Sequence, residues 1–324
     1  MNVLILFTVA LTAGILPMLA YALIVWWLDR WEKEPLPLLL AAFLWGFVPS
    51  AVFALITQLI IGAPIYAFIR GDLFLADLFM ASVIAPITEE LVKGAAVMLI
   101  FIFWHDEIDS LLDGIVYGSL IGFGFAAIEN ILYFSATPDA LACLIPMRAF
   151  IFGLNHAFFT SFIGLGFALA RQSNHLGLRL LYPTLGFAAA MLAHGLHNFT
   201  VSFGLLGLPI ALLADWSGAL IILIIMLVSL TYEARWIRTY LTDEVAAGIL
   251  TARQFKAATS FIERGYFASL FPNPARFFIN RRFYHLCTEL AFKKRQRDRH
   301  GPTPRLEARI ATLRDQIAAL SPSL

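Results

Sequence analysis

The chain has 324 residues, 60% of them hydrophobic and 14% charged, against about 25% charged in a soluble globular domain. With a mean hydropathy of +0.79, this excludes an ordinary soluble enzyme and indicates an all-α polytopic membrane protein. The net charge of +1 is uneven: residues 233–324 hold 16 of the 23 Lys and Arg but only 8 of the 22 acids, so the tail is +8 and the remainder −7.

The first apolar run, 3–28, is long enough to span a bilayer. It lacks the basic start and small-residue cleavage site of a signal peptide, so it reads as a retained helix. Trp26 and Trp27 suit an interfacial anchor. After the polar loop Asp29-Arg30-Trp31-Glu32-Lys33-Glu34-Pro35, six more spans are expected at about 37–62, 73–104, 114–134, 147–170, 179–203 and 208–231. The result is a bundle of about seven transmembrane helices over residues 1–232, followed by a tail over 233–324. Proline removes a backbone donor, so Pro86 should divide the third span into an interfacial piece and a shorter helix beginning near it.

Loop charge sets the orientation. Arg30, Lys33, Arg171, Arg179 and the tail cations fall on one side, against Arg70 and Arg148 on the other, so the N-terminus should lie outside and the tail in the cytoplasm. The tail opens with an amphipathic stretch over 232–255 that turns at Gly248-Ile249-Leu250-Thr251. Its cluster Lys293-Lys294-Arg295-Gln296-Arg297-Asp298-Arg299 should attract anionic lipid headgroups, at about 1 kcal/mol per cation. The tail is expected to be helical, solvated and partly disordered. It carries no nucleic-acid recognition motif. Cys143 and Cys287 are far apart and offer neither a disulfide framework nor a thiolate metal site.

A charged side chain at bilayer depth costs about 2.5 to 3.5 kcal/mol. Yet the third span holds Glu89, Glu90 and Lys93, the fourth Glu129 and Asn130, the fifth Asn155 and His156, and the sixth His194, His197 and Asn198. Asp215, near the start of the seventh, is expected at the interface. Glu89 and Lys93 are i,i+4 and should pair, while Glu90 points about 100° away. His194 with Asn198, and Phe152 with His156, make similar pairs. Alternating helix direction brings these groups to one level in the outer half of the membrane. Carboxylate, imidazole and amide together can activate water and stabilise an oxyanion, or bind a divalent cation such as Zn2+ through Glu129, His156, His194 and His197. Three glutamates and one lysine leave −2 in low dielectric, which a divalent ion or protonation would relieve. A non-catalytic scaffold or a proton or ion pathway could use the same groups, and His156 with His194 could ligate a haem. The zinc-helix motif His-Glu-x-x-His, Gly-x-Ser-x-Gly and Gly-x-Gly-Asp are all missing.

Glu89-Glu90-x-x-Lys93, Phe152-x-x-x-His156 and His194-x-x-x-Asn198 resemble the three motifs of the CAAX-protease and bacteriocin-processing membrane proteases. The chain is most similar to the PrsW branch, through the Asp29–Pro35 loop motif, Asp113-Gly114-x-x-Tyr117-Gly118, Gly124-Phe125-Ala126-x-x-Glu129-Asn130 and His194-Gly195-x-His197-Asn198, across about residues 20–250. The CAAX branch has an arginine after its glutamate pair; here the cation is Lys93 at another offset, which argues against its substrate preference. The resemblance implies an intramembrane peptidase of a bacterial inner membrane. Its substrate would be a membrane-anchored protein of the anti-sigma-factor kind, and it would use either a metal or a glutamate base. It implies a catalytic group of Glu89, Glu90, His156, His194 and Asn198, supported by Lys93, Glu129, Asn130 and His197. Glu89 and His156 would activate water, His194 and Asn198 would stabilise the oxyanion, and Lys93 would hold Glu89 ionised. Glu89 and Glu90 should then not be interchangeable.

Overall fold

The computed structural model describes residues 2–31, 33–69, 72–260 and 274–323. Glu32 and Arg70, used above in the first-loop motif and the charge count, lie outside them. The described residues are helical, with no strand among them. They form two compact units: residues 1–28 with 34–226, and residues 29–33 with 227–324.

The first unit runs α1 (Val3–Leu28), α2 (Leu36–Trp45), α3 (Ala51–Phe68), α4 (Leu73–Phe79), α5 (Ala85–Phe103), α6 (Leu111–Ala136), α7 (Leu141–Ile145), α8 (Asn155–Gln172), α9 (Leu176–Val201) and the first part of α10 (Leu208–Ala246). Six helical segments among the described residues are long and apolar enough to cross a membrane. The other expected span is helical from Leu73 to Phe103, but Asp77, Glu89, Glu90 and Lys93 keep it below that apolar standard.

α6 is the central helix, buried along most of its length. Its start is fixed by a capping box: Ser110 Oγ accepts from the Asp113 amide at 3.3 Å, and Asp113 Oδ2 accepts from the Ser110 amide at 2.7 Å. Between membrane helices lipid offers no hydrophobic drive, so close backbone contact through small residues has to supply the packing. Gly114, Gly118 and Gly122 lie one turn apart. A Cβ on them would sit 2.4 Å from Gly164 O, 2.6 Å from Thr160 O and 2.3 Å from His156 O. On its other side α6 meets the α2 segment, where a Cβ on Gly124 would lie 2.0 Å from Phe43 O. The glycine stripe thus sets where the start of α8, and with it His156, stands.

Three π-helical turns, Gly46–Ser50, Met80–Ile84 and Pro146–Ile151, interrupt the α-helices. Hydrocarbon tolerates such turns only where the displaced carbonyls find other donors. In the second, the Ala85 amide bonds to Met80 O. The next donor in that register would come from Pro86, which has no N–H. Ala81 O instead accepts from Asn198 Nδ2 at 2.8 Å. In the third turn, Tyr21 Oη donates to Ala149 O at 3.2 Å and Trp216 Nε1 to Ile151 O at 3.1 Å. Pro86 therefore lies in the first turn of α5, and the division expected there takes the form of a change of helix type with no gap in the helix. The expected continuous span 147–170 is corrected: residues 152–154 form a break and α8 starts at Asn155. Phe152 and His156 are consequently not one turn apart on a helix, and the Phe152 ring packs on His197, centroids 5.0 Å apart.

In the second unit, α10 continues to Ala246 and turns at Gly248 (φ +74°). α11 (Ala252–Ala258) follows, then helices Pro274–His300 and Pro304–Leu320. Thr251 and Gln254 cap α11 reciprocally. Trp31, Ile237, Leu241, Phe283, Leu290, Ile310, Leu313 and Ile317 form a buried core. The expectation of a solvated tail is corrected by that core. The basic cluster is partly spent inside it: Lys294 Nζ donates to Glu244 Oε1 at 2.9 Å and Asp243 Oδ2 at 2.6 Å, and the Arg295 guanidinium lies 3.1 Å over the Trp236 ring.

The glycine contacts make a direct prediction. Gly118→Ala and Gly122→Ala should each destabilise the first unit by about 1 to 3 kcal/mol through overpacking. Gly177→Ala, with nothing within 4 Å of its added Cβ, should be neutral or slightly stabilising. Thermal unfolding of the three variants in one detergent provides the comparison.

Candidate functional site

The site is assembled from α3, α5, α6, α8 and α9 around one ammonium group. Lys93 is fully buried. Its Nζ lies 2.8 Å from Glu90 Oε1, 3.6 Å from Glu89 Oε2 and 3.1 Å from His156 Nδ1, and 3.8 Å over the Phe125 ring. The expected i,i+4 pair with Glu89 is present at 3.6 Å, but the closest carboxylate is Glu90, one turn back at i,i+3. Both spacings share a helix face, and Glu90 is the carboxylate turned into the bundle.

Glu90 has no exposed surface. Its Oε1 accepts from Lys93 and from His194 Nδ1 at 3.0 Å, and its Oε2 accepts from Thr160 Oγ1 at 3.0 Å. Glu89 is different. Gln58 Nε2 donates to its Oε1 at 3.1 Å, while its Oε2 is buried and accepts no hydrogen bond. His194 Nε2 lies 3.8 Å from that oxygen. A carboxylate only accepts, so Glu90 fixes His194 with its proton on Nδ1. Nε2 then presents a lone pair towards Glu89 Oε2, and two acceptors face each other.

His156 is held in the same way from α6. Its Nε2 donates to Glu129 Oε2 at 2.7 Å, leaving Nδ1 to accept from Lys93. Glu129 also pairs with Arg148 at 2.8 Å, and Arg148 Nε donates to Asn130 Oδ1 at 3.1 Å. Arg148 lies 3.8 Å over the Tyr133 ring. The His156 and His194 rings meet edge to face with centroids 5.1 Å apart, which leaves no space for a porphyrin between them.

Donor atoms of Glu89, His156 and His194 lie within 4.8 Å of one another, so these three could hold a metal ion. Of the ligands expected from sequence, His156 and His194 belong to this group. Glu129 backs His156, and His197 lies elsewhere, with Nδ1 2.7 Å from Asp215 Oδ2. Asn198 is committed through one N–H to Ala81 O. A cavity of about 660 Å³ is lined by Gln58, Glu89, Glu129, Arg148, His156, His197 and Asn198. Glu90, Lys93 and His194 do not line it and stand behind Glu89 and His156.

Four partners escaped the sequence reading. Gln58 and Thr160 are ordinary polar residues of apolar helices and carry no sequence signal. Arg148 was counted as a loop cation, and with it three carboxylates and two cations leave the cluster at −1. Asp215, read from the sequence without a partner, is 3% exposed and is held by His197 and Asn155. An aspartate inside the apolar run of α10 was the available clue.

The family model for "PrsW family intramembrane metalloprotease" matches residues 34–232. The protease PrsW of Oceanobacillus iheyensis is 33% identical over 189 residues, covering 58% of this chain and 81% of the relative. That of Geobacillus kaustophilus is 30% identical over 189 residues, 58% and 78%, and that of Bacillus subtilis 26% over 195 residues, 59% and 82%. No solved structure matches this chain. The matched stretch contains every glutamate, histidine and lysine of the buried cluster, and the chain belongs to the PrsW family of intramembrane proteases.

Proposed function

We propose that this chain is a metallopeptidase that cuts a membrane-anchored protein in the 660 Å³ cavity, with Glu89, His156 and His194 as its reaction centre. A single-span protein of the anti-sigma-factor kind is the substrate class, and the bias of loop cations supports an N-terminus outside and a tail in the cytoplasm. The observation that carries the reading is Glu89 Oε2, buried without a hydrogen bond and faced by the His194 Nε2 lone pair at 3.8 Å. A buried acceptor left unmatched costs about 1 to 3 kcal/mol, more when charged. Lys93 Nζ, 3.6 Å from that oxygen, offsets its charge but is too far to donate to it, and two acceptors facing each other call for a cation or a water between.

The donor set suits a divalent metal. Two imidazoles beside a carboxylate, with room for water, match the residue types of catalytic zinc sites; His156 would bind through Nδ1, from which Lys93 would have to withdraw. Each imidazole is backed by a carboxylate, Glu90 for His194 and Glu129 for His156, the outer contact that fixes tautomer and raises ligand basicity. Zinc bound there would supply Lewis acidity and a water that ionises near neutral pH.

The chain's own residues do the rest. With His156 and His194 as the residues that would hold the metal, Glu89 Oε2 is left to take the proton of the attacking water, and Gln58 holds its other oxygen in place. Lys93 offsets the charge of Glu89 and Glu90, and Arg148 that of Glu129. The second N–H of Asn198 supports the oxyanion. The cavity walls, from α3, α6 and α9, hold an unwound stretch of substrate away from lipid.

Three outcomes test this. Glu89→Gln should abolish cleavage of a single-span reporter co-reconstituted in liposomes while leaving thermal unfolding nearly unchanged; equal cleavage by wild type and variant would sink the peptidase centre. Glu90→Gln should instead cost about 3 to 5 kcal/mol of stability, since it strips a buried ammonium of its nearest carboxylate. Purified wild type should carry about one zinc per chain, lost in His156→Ala and His194→Ala. A fully active, metal-free preparation would refute the metal.

A further inference from the structure

His197 lines the same cavity as Glu89 and His156 but takes no part in their cluster. Its Nδ1 lies 2.7 Å from Asp215 Oδ2. Asn155 Nδ2 donates to the same oxygen at 3.0 Å. Asp215 is 3% exposed and Asn155 5%, so both partners are shielded from water. A carboxylate can only accept, so the short contact puts the imidazole proton on Nδ1. Phe152 holds one side of the ring, edge to face at 5.0 Å, and Phe159, which stacks on His194, lies 6.1 Å from it. The ring is therefore oriented by a buried carboxylate at Nδ1, with the Asn155 amide nitrogen 3.1 Å from Nδ1 and 3.5 Å from Nε2, and it lines the cavity. Nothing in the peptidase reading uses this arrangement, yet an aspartate in an apolar span is costly to keep.

We propose that His197 is the proton donor to the leaving amine, with Asp215 and Asn155 as its positioning residues. The proposal rests on the peptidase reading above. Hydrolysis of an amide needs a proton on the departing nitrogen as well as an activated water. Glu89 removes a proton from the water as its oxygen bonds to the carbonyl carbon. His197, protonated on Nε2 and stabilised as imidazolium by Asp215, gives that proton to nitrogen as the C–N bond breaks. His197 is then neutral and regains a proton from cavity water, which the proton released at Glu89 replaces. The sum is one water added across the bond. The same division of labour, in which a buried aspartate orients an imidazole that carries the proton, serves serine hydrolases.

The pair of residues also explains why Asn155 and His156, neighbours in sequence, serve different ends of the site. The break over residues 152–154 starts α8 at Asn155. In the first helical turn consecutive side chains diverge by about 100°, so Asn155 reaches Asp215 while His156 reaches Glu129.

The test uses full-length protein in liposomes and two versions of one reporter peptide, with an amide or an ester at the cleaved bond. An ester leaves as an alcohol and needs far less help from an acid. His197→Gln and Asp215→Asn should slow amide cleavage about 10²- to 10⁴-fold through kcat, with KM and ester cleavage changed little. A second readout needs no substrate. In protein labelled with ¹⁵N-histidine and held at a pH where the ring is neutral, the signal that His197→Gln removes should report the Nδ1–H tautomer in wild type and the Nε2–H tautomer in Asp215→Asn. Parallel losses on amide and ester, no loss on the amide, or an Nε2–H tautomer in wild type would each overturn the assignment. Cleavage surviving Glu89→Gln would defeat the peptidase centre but leave the tautomer result standing, so the two failures are separable.

Discussion

A lysine ammonium without access to water holds the site together. Lys93 touches Glu90, Glu89, His156 and the face of Phe125, and so links α5 to α6 and α8. Removing charge from water costs several kcal/mol per ion even after relaxation, so such a group persists only where its partners are already in place. Its presence constrains everything around it. Glu90 must face inward, Thr160 and His194 must complete Glu90, and His156 must keep a lone pair on Nδ1. These contacts fix both imidazoles in single tautomers before any ligand arrives. A site that depends on two ring nitrogens needs that degree of order, because a flipped tautomer would present an N–H where an acceptor is required.

The scaffold meets this demand with backbone more than with side chains. Gly114, Gly118 and Gly122 allow α6 and α8 to touch carbonyl to Cα, which no larger residue could permit. That contact places His156 O against Gly122, and the His156 ring one helix away from Glu129. On the opposite side of the cluster, Pro86 deprives Ala81 O of a donor, and Asn198 supplies one from α9. The effect is to tie α9 to the turn that immediately precedes Glu89. The two histidine-bearing helices are thus registered against the glutamate-bearing one by features that look like defects in a helix: missing side chains and a missing N–H.

Much of this was legible in the sequence. Charge density identified the class, and the polar residues stranded in apolar runs identified Glu89, Glu90, Lys93, Glu129, His156 and His194 before any coordinates. Their convergence followed from helices alternating in direction. What failed did so for definable reasons. The helix at 147–170 was assumed continuous, because periodicity does not reveal a break in a run with apolar residues on every side. Lys93 pairs with Glu89 as i,i+4 spacing predicts, but Glu90 at i,i+3 lies closer because Thr160 and His194 hold it inward, which spacing alone does not show. The partners of Asp215, Asn155 and His197, lie 60 and 18 residues away in sequence, so no local pattern announces them. Of the tail's basic cluster, Lys294 and Arg295 are used within its own core, which charge alone does not reveal.

Charge accounting bears on why the cluster contains so many ionisable groups. Glu89, Glu90 and Glu129 against Lys93 and Arg148 leave one negative charge in excess. A divalent cation would leave one positive charge, and that is the state in which an oxyanion would be welcomed, since developing negative charge would then be neutralised. Without Arg148 the empty cluster would be −2 and the filled one neutral, with nothing to favour the oxyanion over the carbonyl from which it forms. Catalysis needs interactions stronger in the transition state than in the ground state. On that argument the second cation tunes the field at the site as well as pairing with Glu129, and the two carboxylates that hold imidazoles serve geometry while the cations serve the reaction.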